Sequence, residues 1–226
     1  MKDKVIVITG GSRGLGKGMA QLLASKKNTV VICSKNKTEV EKTAKDINAT
    51  AFVADVTKES DVKALADFTV KQFGGIDVWI NNAGVWLPHA TIEEVDMKRV
   101  DGIFAVNVFG TMYGAKTALL QMRKQQCGTV VNIVSTSGLD ARPTSSIYAA
   151  SKWAVRGFTD SIREEYRETN IKILAVYPGG MQTALFDEKK PNDINTYMSF
   201  ESVAEKIVAN LELAEPLEEL IIKRPS

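Results

Sequence analysis

The 226-residue chain predicts a doubly wound parallel α/β domain, and three features carry that expectation. Seven short apolar runs rich in Val and Ile recur along it without strict polar alternation, the pattern of strands buried on both faces. Longer amphipathic stretches separate the runs, so strand and helix alternate from end to end. A glycine cluster stands directly after the first run, where such folds turn from strand into helix.

The elements follow in order. Run 4–9 enters the glycines, and the helical stretch 15–26 comes next. Run 29–33 is closed by Ser34 and precedes the stretch 38–47. Run 51–54 is closed by Asp55 and precedes 58–73. Run 77–81 is closed by Asn82, and the long stretch 94–124 follows it. Run 128–134 is closed by Ser135, ahead of 148–169. Run 171–176 leads through the least regular region, 179–199, to the stretch 201–213 and a last run at 218–222. Such a loop beside a parallel sheet is a candidate lid or an idle connection. No repeat or linker divides the chain, so residues 1–226 are expected to form one domain.

Composition narrows the function. With 44% hydrophobic and 25% charged residues the chain reads as an ordinary globular protein. Its 29 basic and 27 acidic residues leave a net charge of +2, too balanced for a phosphate-backbone binder, so no nucleic-acid partner is expected. The purely apolar runs, such as Val5-Ile6-Val7-Ile8, are only a few residues long, against about 20 for a membrane span, so no membrane partner is expected. Cys33 and Cys127 cannot build a disulfide scaffold and have no metal-ligand spacing; a reduced, cytoplasmic setting and no metal are the simplest expectations. The single histidine, His89, weakens every histidine-dependent mechanism.

Thr9-Gly10-Gly11-Ser12-Arg13-Gly14-Leu15-Gly16 would let the backbone approach a diphosphate at a helix N-terminus. Two other motifs nearly fit. Gly10-Gly11-Ser12-Arg13-Gly14 matches a hydrolase nucleophile elbow, which would need His89 as partner to Ser12. Gly11 through Lys17 approaches a P-loop, with Gly18 in place of the magnesium-binding Ser or Thr. The spacing is G-x-x-x-G-x-G, not the commoner G-x-G-x-x-G. Further along stand Asn81-Asn82-Ala83-Gly84, Ser135, Tyr148-Ala149-Ala150-Ser151-Lys152, and Pro178-Gly179 with Thr183 four residues later.

These landmarks, in this order from residue 9 to 183, resemble those of the short-chain dehydrogenase/reductase family. The resemblance implies a Rossmann fold and hydride transfer between a nicotinamide cofactor and a carbonyl or alcohol substrate. It implies Tyr148 as acid/base, Lys152 as its partner and holder of the nicotinamide ribose, and Ser135 as the residue orienting the substrate oxygen. It implies Asn107 as the asparagine supporting a proton-relay water. Tyr148 and Lys152 are four apart, hence on one helix face, where an ammonium would lower a phenol pKa of about 10. Each residue also has a plain structural role open to it: an amphipathic face for the Tyr-Lys pair, a turn or cap for Ser135, buried hydrogen bonding for Asn107, backbone satisfaction for Asn81 and Asn82.

The cofactor set implied comprises Thr9, Gly10, Ser12, Arg13, Gly14, Leu15, Gly16, Ser34, Lys35, Asp55, Val56, Asn82, Ala83, Gly84, Tyr148, Lys152, Pro178, Gly179 and Thr183. Ser34 stands where NAD-preferring relatives carry Asp. Lys35 and Arg13 are cations suited to the 2′-phosphate, so NADP(H) is expected. Lys35 has a solvated-loop alternative, and Asp55, matched to an adenine-contacting residue, a helix-capping one. Trp86, Leu87, Leu139, Met181 and Phe186 form an expected apolar substrate wall, with core packing as their alternative; no Arg is evident to grip a carboxylate. The resemblance further implies a homodimer or homotetramer through the stretches 94–124 and 148–169. Other readings are a 3-oxoacyl thioester reductase of the same family, a non-catalytic nucleotide sensor and the Ser12 hydrolase.

Overall fold

The computed structural model describes residues 1–183, 185, 190, 191 and 193–224. Its first half runs β1 (Val5–Thr9), α1 (Gly14–Ser25), β2 (Thr29–Ser34), α2 (Lys37–Ile47), β3 (Thr50–Val53), α3 (Glu59–Phe73) and β4 (Val78–Asn81). Then come α4 (Val100–Phe104), α5 (Gly110–Gln125), β5 (Gly128–Ile133), α6 (Ser146–Glu165) and β6 (Ile171–Pro178). The chain closes with β7 (Met181–Gln182), β8 (Met198–Ser199), α7 (Phe200–Leu211) and β9 (Glu219–Ile222).

Seven strands form one parallel sheet in the order β3-β2-β1-β4-β5-β6-β9. All seven expected runs are in it. β1 is an interior strand, with Ile8 paired to Ile32 on one side and Ile80 on the other. The absence of polar alternation in β1 now has its reason. Ile6 and Ile8 face a layer of α1, α2 and α7, while Val7 faces α3, α5 and α6; all three are fully buried. Neighbouring strand side chains point to opposite faces, so a sheet covered on both sides needs apolar residues at every position. Each such burial contributes about 1.5–3 kcal/mol.

A buried polar chain crosses the second layer. Trp79 Nε1 donates to Asn81 Oδ1 at 2.8 Å, Asn81 Nδ2 to Asn132 Oδ1 at 2.8 Å, and Asn132 Nδ2 to Thr159 Oγ1 at 2.9 Å. It joins β4, β5 and α6. Asn81 therefore satisfies side chains across the sheet, not the backbone groups after its strand.

Three local features depart from expectation. The stretch 94–124 is interrupted: two 3₁₀ turns, Ile92–Glu94 and Met97–Arg99, precede α4, and a wider π turn, Ala105–Phe109, separates α4 from α5. Helix α6 starts at Ser146 and stops at Glu165, four residues short of the expected end. Within the irregular region, β7 and β8 pair as a small parallel sheet. The run Met97–Gln125 is also long and apolar enough, by length and average composition, to cross a membrane, which short-run counting overlooked. Half of its apolar window is buried here, with Ala115, Ala118, Leu119 and Met122 of α5 in the core.

Candidate active site

The connections after β1 and β4 lead to opposite faces of the sheet, which opens a crevice at the carboxyl ends of those strands. A cleft of about 770 Å³ lies there, running from Lys35 at one end to Tyr148 and Trp86 at the other.

The glycine turn forms its floor. Gly10 has φ +63°, and a Cβ there would stand 2.8 Å from Ala83 Cα. A Cβ on Gly16 would lie 2.3 Å from the Gly10 carbonyl. Only glycine permits this packing. Thr9 and Asn82 brace it: Thr9 Oγ1 accepts from the Asn82 and Ala83 amides at 3.0 and 3.1 Å, and Asn82 Nδ2 donates to the Thr9 and Gly10 carbonyls at 2.9 and 3.1 Å. Helix α1 opens without a side-chain cap and without an acidic residue in its first turn. Its free N–H groups and dipole therefore fit a diphosphate.

Ser12, Arg13, Gly14, Leu15, Gly16, Ser34, Lys35, Asp55, Val56, Asn82, Ala83, Gly84, Pro178, Gly179 and Thr183 all line the cleft with Gly10. Thr9 does not; it is buried beneath the turn as a brace, because its hydroxyl is spent on the 82–83 backbone. Glu39 and Cys33 are among the cleft residues that had not been expected. Glu39, in the first turn of α2, reaches the wall beside Lys35, so the pair of cations is not free of carboxylates. Cys33 also lines it, and burial pushes its thiol up to about 12 against a hydrogen bond from the Gly10 backbone. Burial alone would raise Asp55, but hydrogen bonds from Thr57 and the charges of Lys35 and Lys58 hold its carboxyl below the usual value. Its Oδ1 accepts from Thr57 N at 3.0 Å and Thr57 Oγ1 at 2.8 Å, a turn ahead of α3.

At the other end Ser135, Tyr148 and Lys152 converge. Ser135 stands just past β5, with its Oγ accepting from Ser137 N at 3.1 Å and hydrogen-bonded to the Tyr148 phenol. Lys152, one turn along α6 from Tyr148, is buried, and its Nζ donates to the Ile133 carbonyl at 3.1 Å. The ammonium lies 5.8 Å from the Tyr148 ring centre. The expected lowering of the phenol pKa by this lysine is not found. Burial pushes Tyr148 up to about 12, with the Ser135 hydrogen bond and the Arg142 charge pulling the other way. Burial likewise brings Lys152 down to about 8. For both groups desolvation is the largest cause.

Asn107 is buried and does not line the cleft. Its Oδ1 accepts from Val85 N at 2.8 Å, and its Nδ2 donates to Val85 O at 3.0 Å and Ser151 Oγ at 3.2 Å. It fixes the loop after β4 against the residue preceding Lys152, a positioning role. Of the expected substrate wall, Trp86 and Met181 line the cleft. Leu87 is buried outside it, Leu139 packs against the Val134 and Tyr177 cluster, and Phe186 lies outside the described residues. Among the residues that sequence reasoning missed on this wall are His89, Arg142, Leu185, Tyr197 and Arg224. His89 stacks edge-on to Trp86 and meets Thr144, not Ser12, which leaves the hydrolase elbow without a base. Lys17 does not line the cleft, so the P-loop reading also fails.

This geometry has close counterparts. A 3-ketoacyl-(acyl-carrier-protein) reductase from Brucella melitensis, solved as a complex with NADH, superposes with a TM-score of 0.90 at 27% identity, covering 98% of this chain and 97% of that one. An alcohol dehydrogenase from the archaeon Thermococcus sibiricus, complexed with 5-hydroxy-NADP, shares the fold with a TM-score of 0.90 at 24% identity over 99% of each chain. An uncharacterized oxidoreductase of Staphylococcus aureus (strain MRSA252) is 34% identical over 196 residues, spanning 85% of this chain and 84% of that protein. The family model described as short chain dehydrogenase matches residues 4–194, and the chain is accordingly an oxidoreductase of the short chain dehydrogenase family.

Proposed function

We propose that the protein interconverts a carbonyl compound and an alcohol with NADP(H), with Tyr148 as the acid/base. The observation that carries this reading is the meeting of the Ser135 and Tyr148 hydroxyls with buried Lys152 at the end of a cleft floored by the glycine turn. A bound nicotinamide nucleotide would supply or accept the hydride. The 10–16 turn would hold its diphosphate, Arg13 and Lys35 the 2′-phosphate, and Lys152 the ribose hydroxyls.

In the reducing direction Tyr148 needs to carry its proton, and a pKa raised to about 12 ensures that it does. The proton passes from the phenol to the developing alkoxide while Ser135 holds the same oxygen. As negative charge appears on the phenol oxygen, Lys152 and Arg142 stabilise it, in a site where burial strengthens the attraction. Asn107 keeps the Val85 loop and α6 in register. The 27%-identical Brucella reductase was solved with NADH, so the choice of NADP(H) rests on this chain's own residues: Ser34 in place of a carboxylate, with Arg13 and Lys35 exposed beside it. A 3-oxoacyl thioester is a second substrate class, suggested by that relative's description as a 3-ketoacyl-(acyl-carrier-protein) reductase.

The test is calorimetric titration with NADPH and with NADH, followed by carbonyl-dependent NADPH oxidation by the wild type and Tyr148→Phe. Tighter NADPH binding, and turnover lost in the variant with binding kept, is the expected result. Unchanged turnover in Tyr148→Phe removes the proposed mechanism; tighter NADH binding removes the cofactor assignment alone.

A further inference from the structure

The substrate end of the cleft is not the apolar wall that its sequence promises. The loop after β4 and the loop before α6 are tied together there: Ala90 N donates to the Thr144 carbonyl at 2.9 Å, and Thr144 Oγ1 lies 3.4 Å from His89 Nδ1. His89 packs edge-on against Trp86, with 5.3 Å between ring centres. Arg142 projects into the cleft from the second loop, on the wall shared with Ser135, Ser145 and Tyr148. Its Nη2 donates to the Oγ1 of buried Thr136 at 3.0 Å, which anchors one corner of the guanidinium.

A guanidinium has five N–H donors in a planar fork, and this anchor takes one. Among the described residues no carboxylate is ion-paired with Arg142. The other cations of the cleft are committed or distant. Arg224 is held by Asp193 and Thr196, Lys152 by the Ile133 carbonyl, and Arg13 and Lys35 belong to the far end. An exposed arginine pinned at one corner, beside the acid/base residue and facing into a cleft, is built to receive a planar anion.

We infer that Arg142 is the anion clamp of the substrate site, and that the substrate is a short oxo acid or the matching hydroxy acid, its carboxylate on Arg142 and its carbonyl at Ser135 and Tyr148. This inference rests on the carbonyl–alcohol reading above and adds the class of substrate. Trp86 and the neighbouring apolar residues would enclose the carbon chain between the two polar ends. The Arg142 charge also favours phenolate at Tyr148, so the residue that binds the acid assists the proton transfer as well.

The experiment compares straight-chain 2- and 3-oxo acids of four to six carbons with their methyl esters, using NADPH and the wild type, Arg142→Met and Arg142→Lys. The readout is the acid-to-ester ratio of kcat/KM, which cancels any effect of Arg142 on Tyr148. The wild type should prefer the acids, and the ratio should fall roughly ten- to a hundredfold in Arg142→Met and recover in part in Arg142→Lys. Butanoate binding to the NADPH-loaded protein, read by calorimetry, should weaken by a similar factor in Arg142→Met. A wild type that prefers the esters, a ratio unmoved by Arg142→Met, or butanoate binding unaffected by it overturns the clamp and leaves the reductase reading standing. Failure of acids, esters and simple aldehydes alike, with NADPH still bound, overturns the reductase reading first and the clamp with it.

Discussion

Lys152 is the residue at which chemistry and stability pull apart. Burial lowers its pKa from 10.5 to about 8, so folding opposes its charged form. A group with a depressed folded pKa contributes stability that is fully present above its unfolded pKa and is lost as pH falls through the folded one. The window is therefore pH 10.5 down to about 8, and below it the charged lysine costs about 3 kcal/mol. Lys152→Met should abolish turnover and raise the cofactor-free melting temperature at pH 7 by several degrees, at about 2–4 °C per kcal/mol in a chain of this size. The gain should shrink as the pH rises toward 10; a melting temperature at pH 7 equal to the wild type's would refute the argument. Arg13 lies at the other end of the cleft, exposed and uncapped at the start of α1. Its loss should weaken NADPH binding by roughly ten- to a hundredfold, the value of a charge-assisted hydrogen bond of about 1.5–3 kcal/mol, with little effect on NADH. Equal loss for both cofactors would detach Arg13 from the 2′-phosphate. Tyr148, Lys152 and Ser135 were expected as a group only through the family resemblance, and helical spacing with a position after a strand explains how the structure brings them to one end of the cleft. Glu39 and Arg142 were not, since spacing gives no aim to a helix-terminal or loop side chain.

At the level of elements, the π turn Ala105–Phe109 is the part that hydrophobic periodicity could not reveal. One widened turn shifts the helix face without changing its apolar content. Thr111 Oγ1 donates to the Asn107 carbonyl at 2.8 Å, filling a position in the stretched ladder, and the Asn107 side chain is left to hold the Val85 loop. The small β7–β8 sheet was equally invisible, being two residues per strand. It is held from outside by the C-terminal tail. The Arg224 guanidinium lies 3.9 Å from the centre of the Tyr197 ring, and its Nη1 donates to Asp193 Oδ2 at 2.9 Å and Thr196 Oγ1 at 3.1 Å. Arg224→Ala removes three contacts from one strap, so faster cleavage near residues 190–197 by a trace protease and a several-fold rise in KM are expected. Both should be relieved in part by Arg224→Lys, which keeps the charge; an unaltered cleavage rate would count against the strap.

Across the whole molecule, the doubly wound parallel sheet was legible in the alternation of apolar runs, and the place of the cleft in the glycine cluster after the first of them, while the strand order came only with the structure. What remained hidden was which polar groups the two layers would share. Apolar side chains also stay on the outside: Phe109 is 49% exposed, Leu120 57% and Trp153 46%. We propose that a second copy pairs through α5 and α6, so sedimentation should give a dimer or tetramer that Trp153→Glu shifts toward monomer; a monomeric wild type at micromolar concentration would dismiss it. The chain of hydrogen bonds from Trp79 through Asn81 and Asn132 to Thr159 has a consequence for motion. Lifting α6 from the sheet would break the Asn132–Thr159 bond and strand the buried Asn132 amide at about 1–3 kcal/mol. Deuterium should therefore enter the amides of α6 and of β4 and β5 together and late, as one cooperative block, while the helix that carries Tyr148 keeps the slow clock of the sheet beneath it.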